Sequence, residues 1–138
     1  MVDDIRTEIT IRAQPSKVFQ ALTSAQELTE VWPIREAVIE GRLGGVITLE
    51  GDGFRDEGTI TEWRPVEVFE YKYWSTTHGT DRHESNLVSI RYELHPAEDG
   101  ARLEVLQSNV PNENYRAVMV EAWNDLLRSL KQFIETST

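Results

Sequence analysis

The segment Glu113 to Glu135 constrains the fold of this chain more than any other. Tyr115, Val118, Met119, Ala122, Trp123 and Leu126 recur at steps of three, four and one, and Leu127, Leu130, Phe133 and Ile134 continue the series. That spacing sets large apolar side chains on one stripe of an α-helix. Arg116, Glu121, Asn124, Asp125, Arg128, Lys131 and Glu135 fall on the other side. At a rise of about 1.5 Å per residue the helix is roughly 35 Å long, about the width of a small domain. A stripe of that length is stable in water only against an equally long apolar surface. The rest of the chain has to supply it.

Period-two segments supply it. Ile5, Thr7, Ile9 and Ile11 alternate with polar residues, which predicts a half-buried strand. Pro15, a favoured first helical residue, opens a short helix carrying Val18, Phe19, Ala21 and Leu22. Ser24-Ala25-Gln26-Glu27 has the form of a reciprocal capping box and starts a second short helix, which Pro33 ends at Trp32. From Ile34 to Leu106 the helical period is absent. Strands are predicted around Val38-Ile39, Val46 to Glu50, Phe54 to Trp63, Val68 to Trp74, Val88 to His95 and Arg102 to Gln107, divided by turn residues such as Gly44-Gly45 and Gly51-Asp52-Gly53. Gly58 predicts a bulge or bend inside its strand. Ser75 to Asn86 holds no apolar residue and reads as a mobile polar loop. Asn112 is the expected cap of the long helix. The expected architecture is α+β: a curved antiparallel sheet of about six to seven strands, two short helices after the first strand, and a long C-terminal helix, all in one domain spanning 1–138.

Charge and composition exclude several functions. The formal charge is −10, from 24 acids against 14 bases, with no basic block. That field repels nucleic acid and anionic membrane surfaces. No apolar run approaches the ~20 residues that span a membrane. The start Met-Val-Asp-Asp lacks the basic residues of a signal peptide, so a cytoplasmic protein is expected. Without cysteine there is no thiolate chemistry.

The ordered motifs resemble the helix-grip fold of the START/Bet v 1-like (SRPBCC) superfamily, and within it the AHSA1-like family, named after the activator of Hsp90 ATPase. Ala13-Gln14-Pro15-Ser16-Lys17-Val18-Phe19-Gln20-Ala21-Leu22-Thr23 is similar to that family's opening. Leu28 to Trp32, Gly44-Gly45, Gly58-x-Ile60-x-Glu62-Trp63-x-Pro65 and Ala122-Trp123-x-x-x-Leu127-x-x-Leu130 follow in the family's order. The sequence departs from the family pattern at Ala122, where glycine is usual, and at Trp63, where an aliphatic residue is usual. Both add volume, so a narrowed cavity is expected.

The resemblance implies an elongated cavity between the concave sheet face and the long helix. Parity agrees about which residues face it. Phe69, Tyr71 and Tyr73 share one strand face, Ile90 and Tyr92 another, and Leu103 a third. Met119, Trp123 and Leu126 cover them from the helix, with Trp32 and Phe54 near one end and Trp63 completing the candidate ligand-binding set. An apolar space edged by hydroxyls suits a small hydrophobic or aromatic ligand, lipid- or polyketide-like by resemblance. The competing reading is that these side chains simply form a core. His78, Asp81, His83 and Glu84 could suit zinc, but without the spacing of a recognised site they read as a solvated loop. His95 is expected on the outer face. No carboxylate pair or histidine is expected inside, with Glu62 the one open position, so no catalytic residue, metal or cofactor is assigned. Three functions stay open: a small-molecule binding protein, a cyclase- or hydrolase-type enzyme using the same cavity, and a chaperone-linked interaction protein. The last would use Val68 and Trp74 as an outward apolar patch.

Overall fold

The computed structural model describes residues 2–137. Its seven strands are β1 (Ile5–Ile11), β2 (Glu36–Ile39), β3 (Val46–Gly51), β4 (Phe54–Arg64), β5 (Val68–Ser75), β6 (Val88–Ala97) and β7 (Gly100–Ser108). They form one curved antiparallel sheet in the order β1-β7-β6-β5-β4-β3-β2. Two short helices, α1 (Pro15–Thr23) and α2 (Ala25–Val31), follow β1, and the long helix α3 (Glu113–Thr136) ends the order. This is the helix-grip α+β arrangement.

Antiparallel neighbours joined by short turns bury one face each, so alternation survives along the strands. In β6 the pattern runs Val88, Ile90, Tyr92 and Leu94 inward. In β5, Phe69, Tyr71 and Tyr73 point the same way. The amphipathic stripe of α3 closes over them, with Trp123, Leu127, Leu130 and Ile134 buried. Polar bonds fix the helix along the edge strand: Lys131 Nζ donates to the Thr10 carbonyl at 2.9 Å, and Arg116 Nε donates to that of Asp3 at 3.1 Å. Asn112 caps the helix, its Oδ1 accepting from the Tyr115 amide at 2.8 Å. Among the described residues no helix is long and apolar enough to cross a membrane.

Several local expectations change. The irregularity in β4 sits between Ile60 and Glu62, not at Gly58. Gly58 serves close approach instead, because a Cβ there would lie 2.3 Å from the Lys72 carbonyl oxygen. Only half of the capping box forms. Ser24 Oγ accepts from the Glu27 amide at 3.2 Å, but the Glu27 carboxylate turns to Gln20 Nε2 at 2.6 Å. The Ser24 amide is already held by the Gln20 carbonyl of α1, so it has no need of Glu27. Val68 is buried rather than outward-exposed; its cross-strand neighbours are Arg64 and Glu93, whose long stems flank it. Trp74 is covered in turn by the Arg82 guanidinium, 5.6 Å from its ring centroid, and donates to the Thr80 carbonyl.

Candidate ligand cavity

The core does not fill the whole space under α3. Beneath the helix's N-terminal half lies a cavity of about 700 Å³, within the ~300–1,000 Å³ typical of ligand sites. From α3, Tyr115, Met119, Trp123 and Leu126 reach it. The sheet contributes Phe54, Tyr71, Tyr73, Ile90 and Tyr92, and Trp32 stands where α2 ends. Trp32 is held there by its indole N–H, which donates to the Leu126 carbonyl at 2.9 Å, and by an edge-on contact with Trp123 at 6.4 Å between centroids. Ala122 also lines the wall, so its extra methyl group does not close the space.

Nine of the twelve residues read from sequence as ligand-facing therefore share one cavity wall. Trp63, Phe69 and Leu103 do not reach it. Trp63 packs edge-on against Phe19 of α1 at 5.2 Å and against Phe69 at 5.7 Å. Phe69 stacks on Tyr92 at 5.9 Å. Their aromatic row continues the cavity's row but is capped by α1, and parity along a strand cannot say where a covering helix stops. Leu103 is fully buried on β7, opposite Ile9 and Leu94. The bulky Trp63 thus fills the sealed end of the core and takes nothing from the cavity.

The cavity has one polar end, which the sequence reading missed. His78, in the loop that holds no apolar residue, is only 1% exposed and lines the cavity beside Tyr73 and Tyr115. Local bonds turn it inward. The Ser75 amide donates to His78 Nδ1 at 3.3 Å, and the His78 amide donates to the Ser75 carbonyl at 3.1 Å. Gly79 follows with φ +70, a left-handed conformation that lets the chain reverse immediately after it. The loop is further pinned to β4, with the Thr76 amide donating to the Arg55 carbonyl. Its first part, Ser75 to Gly79, is a tied cover over the cavity end, while Asp81 to Ser85 stay exposed as a solvated loop. Asp56 is the second missed residue. It follows Phe54 by two positions on β4 and lines the same cavity.

Burial perturbs both groups. The Asp56 carboxyl is pushed up to about 6 by desolvation, with the Ser75 hydroxyl acting against the rise. Burial lowers His78 to about 4, so its imidazole is neutral at pH 7. Tyr71, Tyr73 and Tyr115 are all raised, first by burial. His78 Nε2 is buried without a hydrogen-bond partner, an arrangement that costs about 1–3 kcal/mol. Beside it runs a polar chain: Trp123 Nε1 donates to Gln107 Oε1 at 2.9 Å, Gln107 Nε2 donates to the Tyr73 hydroxyl at 3.1 Å, and that hydroxyl lies 3.5 Å from the Tyr115 hydroxyl. Gln107 is fully buried.

The remaining candidates lie elsewhere. Glu62 is on the outer face, paired with Arg91 at 2.8 Å and with Arg64 at 2.7 Å, which hold its carboxyl below the usual range. His83 Nδ1 pairs with the Ser85 hydroxyl. Among the described residues, His78, Asp81, His83 and Glu84 do not gather into a metal-binding set. His95 is half-exposed on the outer face near Glu93 and Glu104.

Comparison with known proteins agrees with the fold. The family described as Activator of Hsp90 ATPase homolog 1-like protein matches residues 12–135. Among solved structures, the Aha1 dimer from Colwellia psychrerythraea is 23% identical with a TM-score of 0.85, covering 99% of each chain. Protein CV1439 from Chromobacterium violaceum is 20% identical with a TM-score of 0.84, covering 99% of this chain and 100% of that one. DynU16, described from the dynemicin biosynthetic locus, is 16% identical with a TM-score of 0.83, and the match covers 100% of this chain and 49% of that longer one. At these identities the likeness is one of fold. No curated protein sequence matches the chain.

Proposed function

The chain belongs to the Activator of Hsp90 ATPase homolog 1-like family, and from that premise we propose that it binds a small hydrophobic or aromatic molecule between the sheet and α3. One observation carries the reading: a cavity of about 700 Å³ walled chiefly by aromatic and aliphatic side chains, under a helix half that leaves it open. Burying an apolar ligand there gains about 25 cal/mol per Å² of apolar surface removed from water. Trp32, Tyr71, Tyr92, Met119 and Trp123 are among the large side chains on its wall. Titration with a panel of neutral aromatic probes, followed by calorimetry, tests it. Saturable binding that Met119→Trp abolishes, in a variant that keeps its unfolding midpoint, supports the reading. Binding unaffected by filling the cavity removes it.

A catalytic reading has one specific observation in its favour. Asp56 is an inward carboxyl with a pKa of about 6, a value suited to general acid-base work near neutral pH, and it adjoins three tyrosines whose hydroxyls could steady a developing oxyanion. Cyclase- or hydrolase-type turnover that disappears in Asp56→Asn while ligand affinity is retained would favour it over simple binding. A chaperone-linked role has less support, since Val68 is buried and Trp74 is covered.

A further inference from the structure

We propose that the polar end of the cavity is a hydrogen-bonding subsite for a neutral oxygen acceptor, such as a ketone carbonyl, on an otherwise apolar ligand. Its two donors are the Nε2–H of His78 and the hydroxyl of Tyr115. The inference deepens the binding reading above and rests on it.

The donor character of both groups follows from their partners. His78 Nδ1 accepts a hydrogen from the Ser75 amide, and a neutral imidazole has one acceptor nitrogen and one donor. The proton is therefore on Nε2. That N–H is buried and has no acceptor in the protein. Buried polar atoms left unpaired are rare, and this one belongs to a residue on a cavity wall. The Tyr115 hydroxyl is oriented from a distance. An indole N–H can only donate, so Trp123 fixes the Oε1 of Gln107 toward itself and the amide nitrogen toward Tyr73. With its oxygen accepting from Gln107, the Tyr73 hydroxyl has its own hydrogen free, and the Tyr115 oxygen, 3.5 Å away, is placed to take it. Tyr115 then has a hydrogen left to give, and it stands at the cavity wall. The His78 and Tyr115 rings meet edge to face at 5.0 Å between centroids, so both donors serve one corner.

The charges around that corner select the acceptor. Asp56 lines the same cavity, and neither lysine nor arginine does. A carboxylate or phosphate on the ligand would meet one negative side chain and no positive one. An ammonium would meet two donors at that corner, which it cannot use. A neutral carbonyl or ether oxygen uses both donors without opposing Asp56. The His78 ring lies against Tyr73 at 5.1 Å as well as Tyr115, and a ligand oxygen approaching Nε2 has no hydrogen bond of that nitrogen to break.

The test uses the whole chain and three probes of one shape: acetylnaphthalene, which carries a ketone; ethylnaphthalene, which lacks the oxygen; and naphthoate, an anion. Calorimetric titration at neutral pH is expected to rank acetylnaphthalene about tenfold above ethylnaphthalene, the ratio a single good hydrogen bond supplies, with naphthoate weakest. Tyr115→Phe and His78→Phe should each bring the ratio of ketone to hydrocarbon affinity to within about twofold of one. Equal binding of ketone and hydrocarbon by the unsubstituted chain overturns the subsite and leaves the cavity reading standing. So does a ratio that survives Tyr115→Phe, which keeps the aromatic ring, or a preference for naphthoate. Failure of all three probes to bind removes both readings together.

Discussion

Between Leu127 and Ile134, α3 presents Leu127, Leu130 and Ile134 to a sealed core, each 3% exposed or less. Between Asn114 and Leu126 the same stripe presents Tyr115, Met119, Ala122 and Trp123 to a cavity of about 700 Å³. The hydrophobic period is continuous across both halves, so amphipathicity alone does not separate core from cavity. What differs is the layer opposite. At the sealed end, Trp63 and Phe69 rise to meet Phe19 of α1. At the open end the Ser75–Gly79 turn and the Trp32–Ile34 segment border the cavity instead. Stability should therefore depend mainly on the first half and recognition on the second.

Truncation is the strongest way to break that division. Leu130→Ala is expected to lose about 2–5 kcal/mol of unfolding free energy, because a fully buried side chain leaves a cavity its neighbours cannot fill. Met119→Ala, from the open half, should lose about 1 kcal/mol or less while weakening binding of an aromatic probe. Equal losses in urea unfolding would erase the distinction.

The polar end sharpens it through pH. Asp56 has a folded pKa raised from 3.8 to about 6, so its penalty on the folded state is absent below pH 3.8 and complete above about 6. His78 is lowered from 6.5 to about 4, so its penalty is absent above pH 6.5 and complete below about 4. The two oppose each other in one window. Relative to the unsubstituted chain, Asp56→Asn should gain stability as pH rises from 4 to 6, and His78→Phe should lose it as pH rises from 4 to 6.5, each by up to about 1.4 kcal/mol per pH unit. Urea midpoints across pH 4 to 7 give both slopes; parallel curves for all three proteins would remove the assignment.

At the divide, Trp123→Phe keeps the ring packing but leaves Gln107 Oε1 buried without its donor. A loss of about 1–3 kcal/mol is expected, intermediate between the two halves. The smallest effect belongs to the outer face. Glu62→Gln breaks partly exposed pairs with Arg91 and Arg64 and should change stability by about 1 kcal/mol or less, with probe affinity unmoved.

The frame of the molecule was legible because it rests on periods. Alternation in β1, β5, β6 and β7, and the threes and fours of α3, each report one buried face. Asp56 was missed although it is in phase with Phe54 and Ile60, because a charged residue is not expected on a buried face. His78 carried no such signal. It is buried by a four-residue turn, Ser75 to His78, in which its own ring accepts from Ser75, an event of local geometry inside a stretch of polar residues. The limits of the cavity were equally hidden. Trp63 and Tyr71 both face inward, Trp63 because the irregularity between Ile60 and Glu62 reverses the phase of β4, and the position of α1 decides that one packs on the core and the other forms cavity wall. Val68 shows the converse: an outward residue buried by the stems of its cross-strand neighbours.

The four tryptophans divide along the same line and give the most direct test of the central claim. Trp32 and Trp123 line the cavity, Trp63 belongs to the sealed core, and Trp74 lies on the outer face under Arg82. In a proton–nitrogen correlation spectrum of the whole chain titrated with acetylnaphthalene, the indole signals of Trp32 and Trp123 should shift with saturation while those of Trp63 and Trp74 stay in place. Shifts confined to Trp63 or Trp74, or none at saturating probe, would contradict a binding cavity under the open half of α3.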